Sequence, residues 1–352
     1  ARWPMHFGLL NNDCLWVLDE TQLMGPGLST ACQLEAFRNG SPQGFNSYGG
    51  AGSATWYMSA TNNPEHLRTR EWRDVARGKE FEFGLTLEEK IATTGPIHRK
   101  RHSAKRLELK PELNFENATS ANTLVTDILK HHGEMLVVLA DNKALPARTL
   151  IICNTVDRAV AVHAELAKHK PDGCDLLLLH SRFRPPERRA QMDRLKTFEP
   201  VTFPKGQIVV STQVIEAGVD VSSGILWSEV APLASLVQRI GRLNRAGEFN
   251  ESTWTPVAFI VGVGLKAESE GKNDKAREEI RKANIGRCLP YQLLSCDEEA
   301  VWKPLQKLNG NASPASLEAI QSNIAGSIER CPYSLQRHEL IDFFDTDANL
   351  SL

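Results

Sequence analysis

The sequence predicts an α/β protein whose parallel sheets carry helices on both faces. Three observations lead there. Between Thr149 and Leu243 short apolar runs alternate with segments of helical period, the pattern of a parallel sheet under helical cover. Hydrophobic residues make up 41% and charged residues 24% of the chain, a globular composition that argues against disorder, collagen and coiled coil. Its 352 residues suit about two domains, at ~150 residues each.

The elements follow in order. Cys14 to Leu18 is a short apolar run ending in Asp19-Glu20, which reads as a buried strand delivering carboxylates to a loop. Leu28 to Arg38 suits a helix. A second strand, Ala54 to Met58, runs into Ser59-Ala-Thr61, so both strands are expected to end in polar residues on one edge. From Pro64 to Pro111 the chain is charged and irregular and reads as a linker region, followed by a helix over Ser120 to Gly133. Strands are then expected at Thr149–Cys153, Cys174–Leu179, Gln207–Ser211 and Gly224–Trp227. Helices are expected at Val156–His169, Pro186–Phe198 and Leu233–Leu243. Beyond Val263 come a charged run, Lys266 to Lys282, and an amphipathic stretch near Leu317 to Glu329.

Charge and cysteine content narrow the function. Lys and Arg number 41 against 43 Asp and Glu, a net charge of −2, so contact with a polyanion must be local. Seven cysteines without a C-x-x-C pair read as thiols of a reducing cytoplasm. Apolar stretches such as Leu176–Leu179 fall far short of the ~20 residues of a membrane span, and no signal peptide opens the chain. The first residue is Ala1, which reads as a truncation point in something longer.

Four segments carry chemistry. Asp19-Glu20 suits one carboxylate on Mg²⁺ and a neighbour polarising water, although such a pair alone reads as a solvated loop. The hydroxyls of Ser59 and Thr61 could hydrogen-bond those carboxylates; alone they read as a turn. In Gln238-Arg-Ile-Gly-Arg-Leu-Asn-Arg245, Arg239, Arg242 and Arg245 recur every third residue and are expected to share one helical face. No acid lies between Pro232 and Ala246, so a phosphate ligand is favoured over a solvated basic face. Ser211-Thr-Gln-Val-Ile-Glu-Ala-Gly-Val-Asp220 gathers polar groups in one loop. There Gly218 would admit close backbone approach, and Asp220 would fix a sugar hydroxyl or an arginine.

Asp19-Glu-Thr-Gln22, Ser59-Ala-Thr61, Ser211 to Asp220 and Gln238 to Arg245 occur in the order of motifs II, III, V and VI of superfamily 2 helicases. Leu23-Met-Gly-Pro-Gly-Leu28, Asn154-Thr-Val-Asp-Arg-Ala159 and Leu179-His-Ser-Arg-Phe183 before Glu187-Arg-Arg189 make the chain similar to the CRISPR-associated helicase-nuclease of type I systems. The resemblance runs from about Cys14 to Glu248. It implies two RecA-like lobes that bind ATP and Mg²⁺ between them and move along single-stranded DNA, recruited by an RNA-guided surveillance complex. Residues 1–110 would be a partial first lobe with a linker, 111–262 the second lobe, and 263–352 a C-terminal extension.

Residue by residue, the resemblance implies Asp19 on Mg²⁺, Glu20 on the hydrolytic water, and Ser59 and Thr61 coupling hydrolysis to lobe movement. Gly218, Asp220 and Arg239 would lie on the nucleotide, Gln238 near the γ-phosphate, and Arg242 and Arg245 would be arginine fingers. Thr212 would touch a DNA phosphate, with Asn154, Thr155, Ser181 and Arg182 in the strand-contacting loops.

The sequence also departs from the family. No G-x-x-x-x-G-K-[ST] loop occurs; Val261-Gly-Val-Gly-Leu-Lys266 lacks its spacing. No His-Asp dipeptide occurs among ten histidines, and His131-His132 are expected on a helix surface. This chain alone is therefore expected to be nearly inactive in ATP hydrolysis. A non-hydrolysing nucleic-acid-binding or interaction module, or another superfamily 2 DNA or RNA helicase, stays open. The basic stretch His98 to His102, with Lys105 and Arg106, suits either a DNA backbone or a solvated linker; Arg182, Arg184, Arg188 and Arg189 are the better candidates. Cys288, Cys296 and Cys331 lack zinc-like spacing and are expected to be free thiols.

Overall fold

A computed structural model describes residues 9–11, 14–39, 53–59, 84–115, 118–142, 144–198, 202–270, 273–326 and 335–342. The chain forms two compact units, one of residues 1–84 with 328–352 and a larger one of Leu85–Ser327.

In the smaller unit β1 (Leu15–Leu18) and β2 (Ala54–Tyr57) pair in parallel, Leu15 opposite Ala54 through Leu18 opposite Tyr57. Helix α1 (Pro26–Asn39) buries Leu28, Cys32 and Ala36 at four-residue spacing, the repeat that makes one apolar stripe. Buried Arg38 and Glu35 pair at 2.7 Å, and Arg38 also donates to Thr55 Oγ1 at 3.0 Å. Arg38 Nη1 donates to Asn11 Oδ1 at 2.5 Å, and these bonds offset part of the cost of burying the pair, while Arg38 Nε lies buried without a partner.

The larger unit opens with two short helices, α2 (Leu87–Ile91) and α3 (Gly95–Arg101). Its parallel six-stranded sheet follows: β3 (Arg106–Lys110), β4 (Arg148–Ile152), β5 (Asp175–Leu179), β6 (Gln207–Ser211), β7 (Ile225–Glu229) and β8 (Val257–Val261), in the order β3-β8-β7-β4-β6-β5. Every residue of β4, β6, β7 and β8 is buried, as two-sided helical cover requires. The crossovers include α4 (Ala118–Val138), α5 (Val156–His169), α6 (Pro185–Lys196) and α7 (Leu233–Ile240). Helix α5 turns Ala159, Val162 and Leu166 inward. The core centres on Trp227 stacked over Phe259 at 4.0 Å. Helix α8 (Asp274–Cys288) and shorter turns complete the unit.

Four expectations need correction. First, Arg106–Lys110, read as linker, is the edge strand β3 beside β8; its charged alternate residues hid it, and they suit an exposed edge. With it, residues 85–110 and 263–326 fold into the larger unit rather than standing as linker and extension. Second, β8 was not among the expected strands. Third, helix α7 ends at Ile240, short of Leu243. Ser223 claims the next turn: its N–H donates to Arg242 O, and its carbonyl accepts from Asn244 N, both at 3.0 Å. Buried Asn244 then turns left-handed at φ 44°, a conformation Asn adopts more readily than most residues. Fourth, His132 lies inside, bonded to Thr149 Oγ1 at 2.8 Å and Lys205 O at 2.9 Å. The six cysteines in the described residues are free thiols.

Candidate functional site

Parallel strands bring the loops after their carboxyl ends to one edge, where open α/β sheets bind ligands. In the smaller unit that edge carries Asp19 and Glu20 after β1 and Ser59 after β2. Glu20 sits at φ 52°, left-handed for a residue with a side chain, and such conformations collect at functional sites. Its N–H donates to Asp19 Oδ1 at 2.9 Å. Ser59 Oγ donates to Gln22 Oε1, and Gln22 Nε2 donates to Glu20 Oε2 at 2.6 Å. The hydroxyl therefore reaches the carboxylate through Gln22. Thr61 lies outside the described residues.

In the larger unit the loops after β4, β6 and β7 converge on Arg239. This side chain is completely buried. Its Nε donates to Glu216 Oε1 at 2.8 Å, Nη1 to Ser228 Oγ and Glu229 O at 3.0 Å, and Nη2 to Asn154 Oδ1 at 3.1 Å and Tyr291 OH at 3.0 Å. A guanidinium has five N–H donors, and all are used. Burial by itself would lower its pKa, but Tyr291 and Glu216 outweigh burial and hold it charged, above its ordinary value.

Asn154 is the second node. Its N–H donates to Glu229 Oε2 at 2.5 Å, Nδ2 to Val230 O at 2.8 Å, and its carbonyl accepts from Gln213 Nε2 at 2.8 Å. Burial raises the pKa of Glu229, and Arg158 at 3.1 Å opposes the rise. Arg158 in turn donates to Arg287 O at 2.8 Å.

Arg242 lies in the turn after α7, almost buried, with Nε on Ile215 O at 3.0 Å and Nη2 on Glu216 O. Half-exposed Arg245 pairs with Asp220 at 2.6 Å, the arginine alternative considered for that aspartate. Gly218 adopts φ +68° with open space where a side chain would begin. Thr212 is buried and donates its N–H to Leu179 O at 3.2 Å. Thr155 caps α5, accepting from Arg158 N at 3.4 Å. Ser181 and Arg182 are exposed, and Arg182 pairs with Asp157 at 2.9 Å. Gln238 is buried on α7.

The three arginines thus do not share a helical face. The acids that balance them, Glu216, Asp220 and Glu229, come from other loops, where a search within one segment could not find them. Arg239 has no donor left for a phosphate, and Asn154 is an interior link rather than an exposed contact. The reading also missed Glu229, Arg158 and Tyr291. Glu229 carried a usable signal, a carboxylate closing an apolar strand as Asp19 does; Tyr291 carried none. The basic stretch is engaged within the protein: Arg99 Nε donates to Gly247 O at 3.1 Å, Arg101 pairs with Glu318, and Lys105 Nζ reaches Ile240 O at 3.1 Å.

Residues 146–248 match the family model described as CRISPR-associated nuclease/helicase Cas3, C-terminal. A putative CRISPR-associated nuclease/helicase Cas3 of Myxococcus xanthus is 33% identical over 140 residues, 40% of this chain and 16% of that protein. One from Methanocaldococcus jannaschii is 38% identical over 139 residues, 38% of this chain and 18% of that protein. The matches thus span less than a fifth of these relatives. The crystal structure titled T. fusca Cas3-ATP superposes with a TM-score of 0.55 at 17% identity, over 88% of this chain and 35% of that one, a likeness of fold. Its parallel sheets are RecA-like, as in that structure, and residues 146–248 are similar to the C-terminal part of CRISPR-associated nuclease/helicase Cas3.

Proposed function

We propose that this chain supplies part of an ATP-dependent DNA helicase or translocase that acts in CRISPR interference against foreign DNA, in the cytoplasm, on single-stranded DNA. One observation carries this reading. The Ser211–Asp220 loop and the Gln238–Arg245 segment are joined side chain to backbone, Arg242 on the carbonyls of Ile215 and Glu216 and Arg245 on Asp220. A ligand that moves one must move the other. The solved relatives titled Cas3-ATP and Cas3-AMPPNP, and one titled CRISPR RNA-guided surveillance complex, pre-nicking, support nucleotide and an RNA-guided complex as ligand and partner.

The residues fit part of a nucleotide site. ATP with Mg²⁺ supplies the phosphoryl group and the countercharge. Asp19, which follows β1, would hold Mg²⁺ through its carboxylate. Glu20, held by Gln22, suits orientation of water. Arg245 is the arginine best suited to reach a phosphate, because its exposed pair with Asp220 has little net energy to lose. Arg242 holds the turn that presents it. The G-x-x-x-x-G-K-[ST] cradle is absent from the sequence, and the residues present do not replace it. No described helix is long and apolar enough to cross a membrane.

The missing cradle favours a second reading, a non-hydrolysing nucleic-acid-binding module. Titrating the purified chain with labelled single-stranded oligonucleotide tests what both share: salt-dependent binding is expected, and its absence overturns both. DNA-stimulated ATPase is expected to stay at the level of an Arg242→Ala control. An in-frame Gly-rich Lys-Thr or Lys-Ser loop upstream of Ala1 in the encoding DNA separates the helicase from the module.

A further inference from the structure

Beyond β5 the turn His180–Arg184 carries a feature that phosphate contacts leave unexplained. The His180 ring lies flat on the Phe183 ring, centroids 4.1 Å apart and planes 4° from parallel. Their neighbours Ser181, Arg182 and Arg184 are exposed, while Phe183 is half-buried with one face already covered by the imidazole.

The turn is held in advance. Arg188 Nη2 donates to Ser181 O at 2.9 Å and to Phe183 O at 3.4 Å, and the Glu187 carboxylate accepts from Arg184 N at 3.2 Å and Arg184 Nε at 2.9 Å at the first turn of α6. Arg188, expected to face DNA, instead fastens the loop from behind. Burial chiefly, and Arg182 next, lower the pKa of His180 and so favour its neutral ring. Its Nδ1 is buried without a hydrogen-bond partner, a polar atom that the protein leaves unsatisfied at this turn.

We propose that Phe183, backed by His180, is a stacking platform for one unpaired nucleobase of single-stranded DNA, which extends the DNA reading above and rests on it. A strand that followed the loops after β4, β6 and β5 would pass this turn last, since β5 is the outer strand. Aromatic faces accept any base, because every base has a π-face, and cations beside them hold the backbone. Arg182 and Arg184 supply that charge; their partners Asp157 and Glu187 are surface ion pairs that exchange readily for a phosphate. A platform already ordered loses little entropy on binding.

The test uses the full chain and an oligothymidine carrying one 2-aminopurine, whose emission falls on stacking. Quenching is expected with the native chain. Phe183→Leu is expected to abolish the quench and weaken binding about fivefold or more, whereas Phe183→Trp restores both. An oligonucleotide abasic at the probe position is expected to bind the native chain more weakly by a similar factor, a comparison that needs no variant to fold. Equal affinity for Phe183→Leu with an unchanged quench, or no preference over the abasic strand, overturns the platform and leaves the DNA reading standing. Failure of the native chain to bind any oligonucleotide overturns that reading and the platform with it.

Discussion

Arg239 and Arg245 sit six positions apart in one segment, and environment separates their roles. Replacing Arg239 by Ala strands Glu216 and four other acceptors in the interior. Loss of a buried charge partner costs about 3–5 kcal/mol, so R239A is expected to lower the denaturation midpoint sharply in urea titration. Arg245 meets Asp220 at side-chain exposures of 43% and 87%, and R245A is expected to change stability by less than about 1 kcal/mol. A comparable loss in both variants would show that burial does not divide them. From sequence alone the two looked alike, because the acids that decide the matter, Glu216 and Asp220, lie 23 residues from Arg239 and 25 from Arg245.

The elements themselves were legible wherever apolar period was strong. Val156–His169 and Gln207–Ser211 match their expected bounds, because buried strands and amphipathic helices write their neighbours into their own pattern. Arg106–Lys110 was not legible, because an edge strand with charged residues has no such pattern, and the end of α7 depends on pairing with distant Ser223. At the amino ends of β4 and β6 a histidine makes stability depend on pH. The Lys205 carbonyl can only accept, so Nε2 of His132 carries the proton and Nδ1 accepts from the Thr149 hydroxyl. Burial lowers its pKa below 6.5, against the raising effect of Lys205. The unfolded chain therefore binds a proton first; this contribution is complete above pH 6.5 and is lost as pH falls through the folded-state value. His132→Gln is expected to flatten the fall in urea midpoint between pH 7 and 5. Gly206, against that ring, has φ +72°, and a Cβ there would collide with the Ala147 carbonyl oxygen. Gly206→Ala is expected to cost ~2 kcal/mol or more, and Gly218→Ala, in open space, only the smaller left-handed strain. Thermal melts of the two variants compare them directly.

At the scale of the molecule, the larger unit holds its own sheet, core and flanking helices, with residues 263–326 inside it rather than appended. Residues 85–327 expressed alone are expected to unfold in one cooperative step, and separate transitions for the sheet and residues 263–326 would contradict that integration. The resemblance was readable from motif order, since Asp19-Glu20, Ser211–Asp220 and Gln238–Arg245 are each continuous in sequence; Tyr291 and Arg287 join the network around Arg239 and Arg158 in the larger unit only through folding. The single guanidinium of Arg239 bolts together the ends of β4 and β7, the loop beyond β6, and the segment around Tyr291. Because that bolt has no slack, a push delivered to any one of those loops is transmitted to the others, and the unit answers a ligand as a stiff lever rather than as a set of independent fingers.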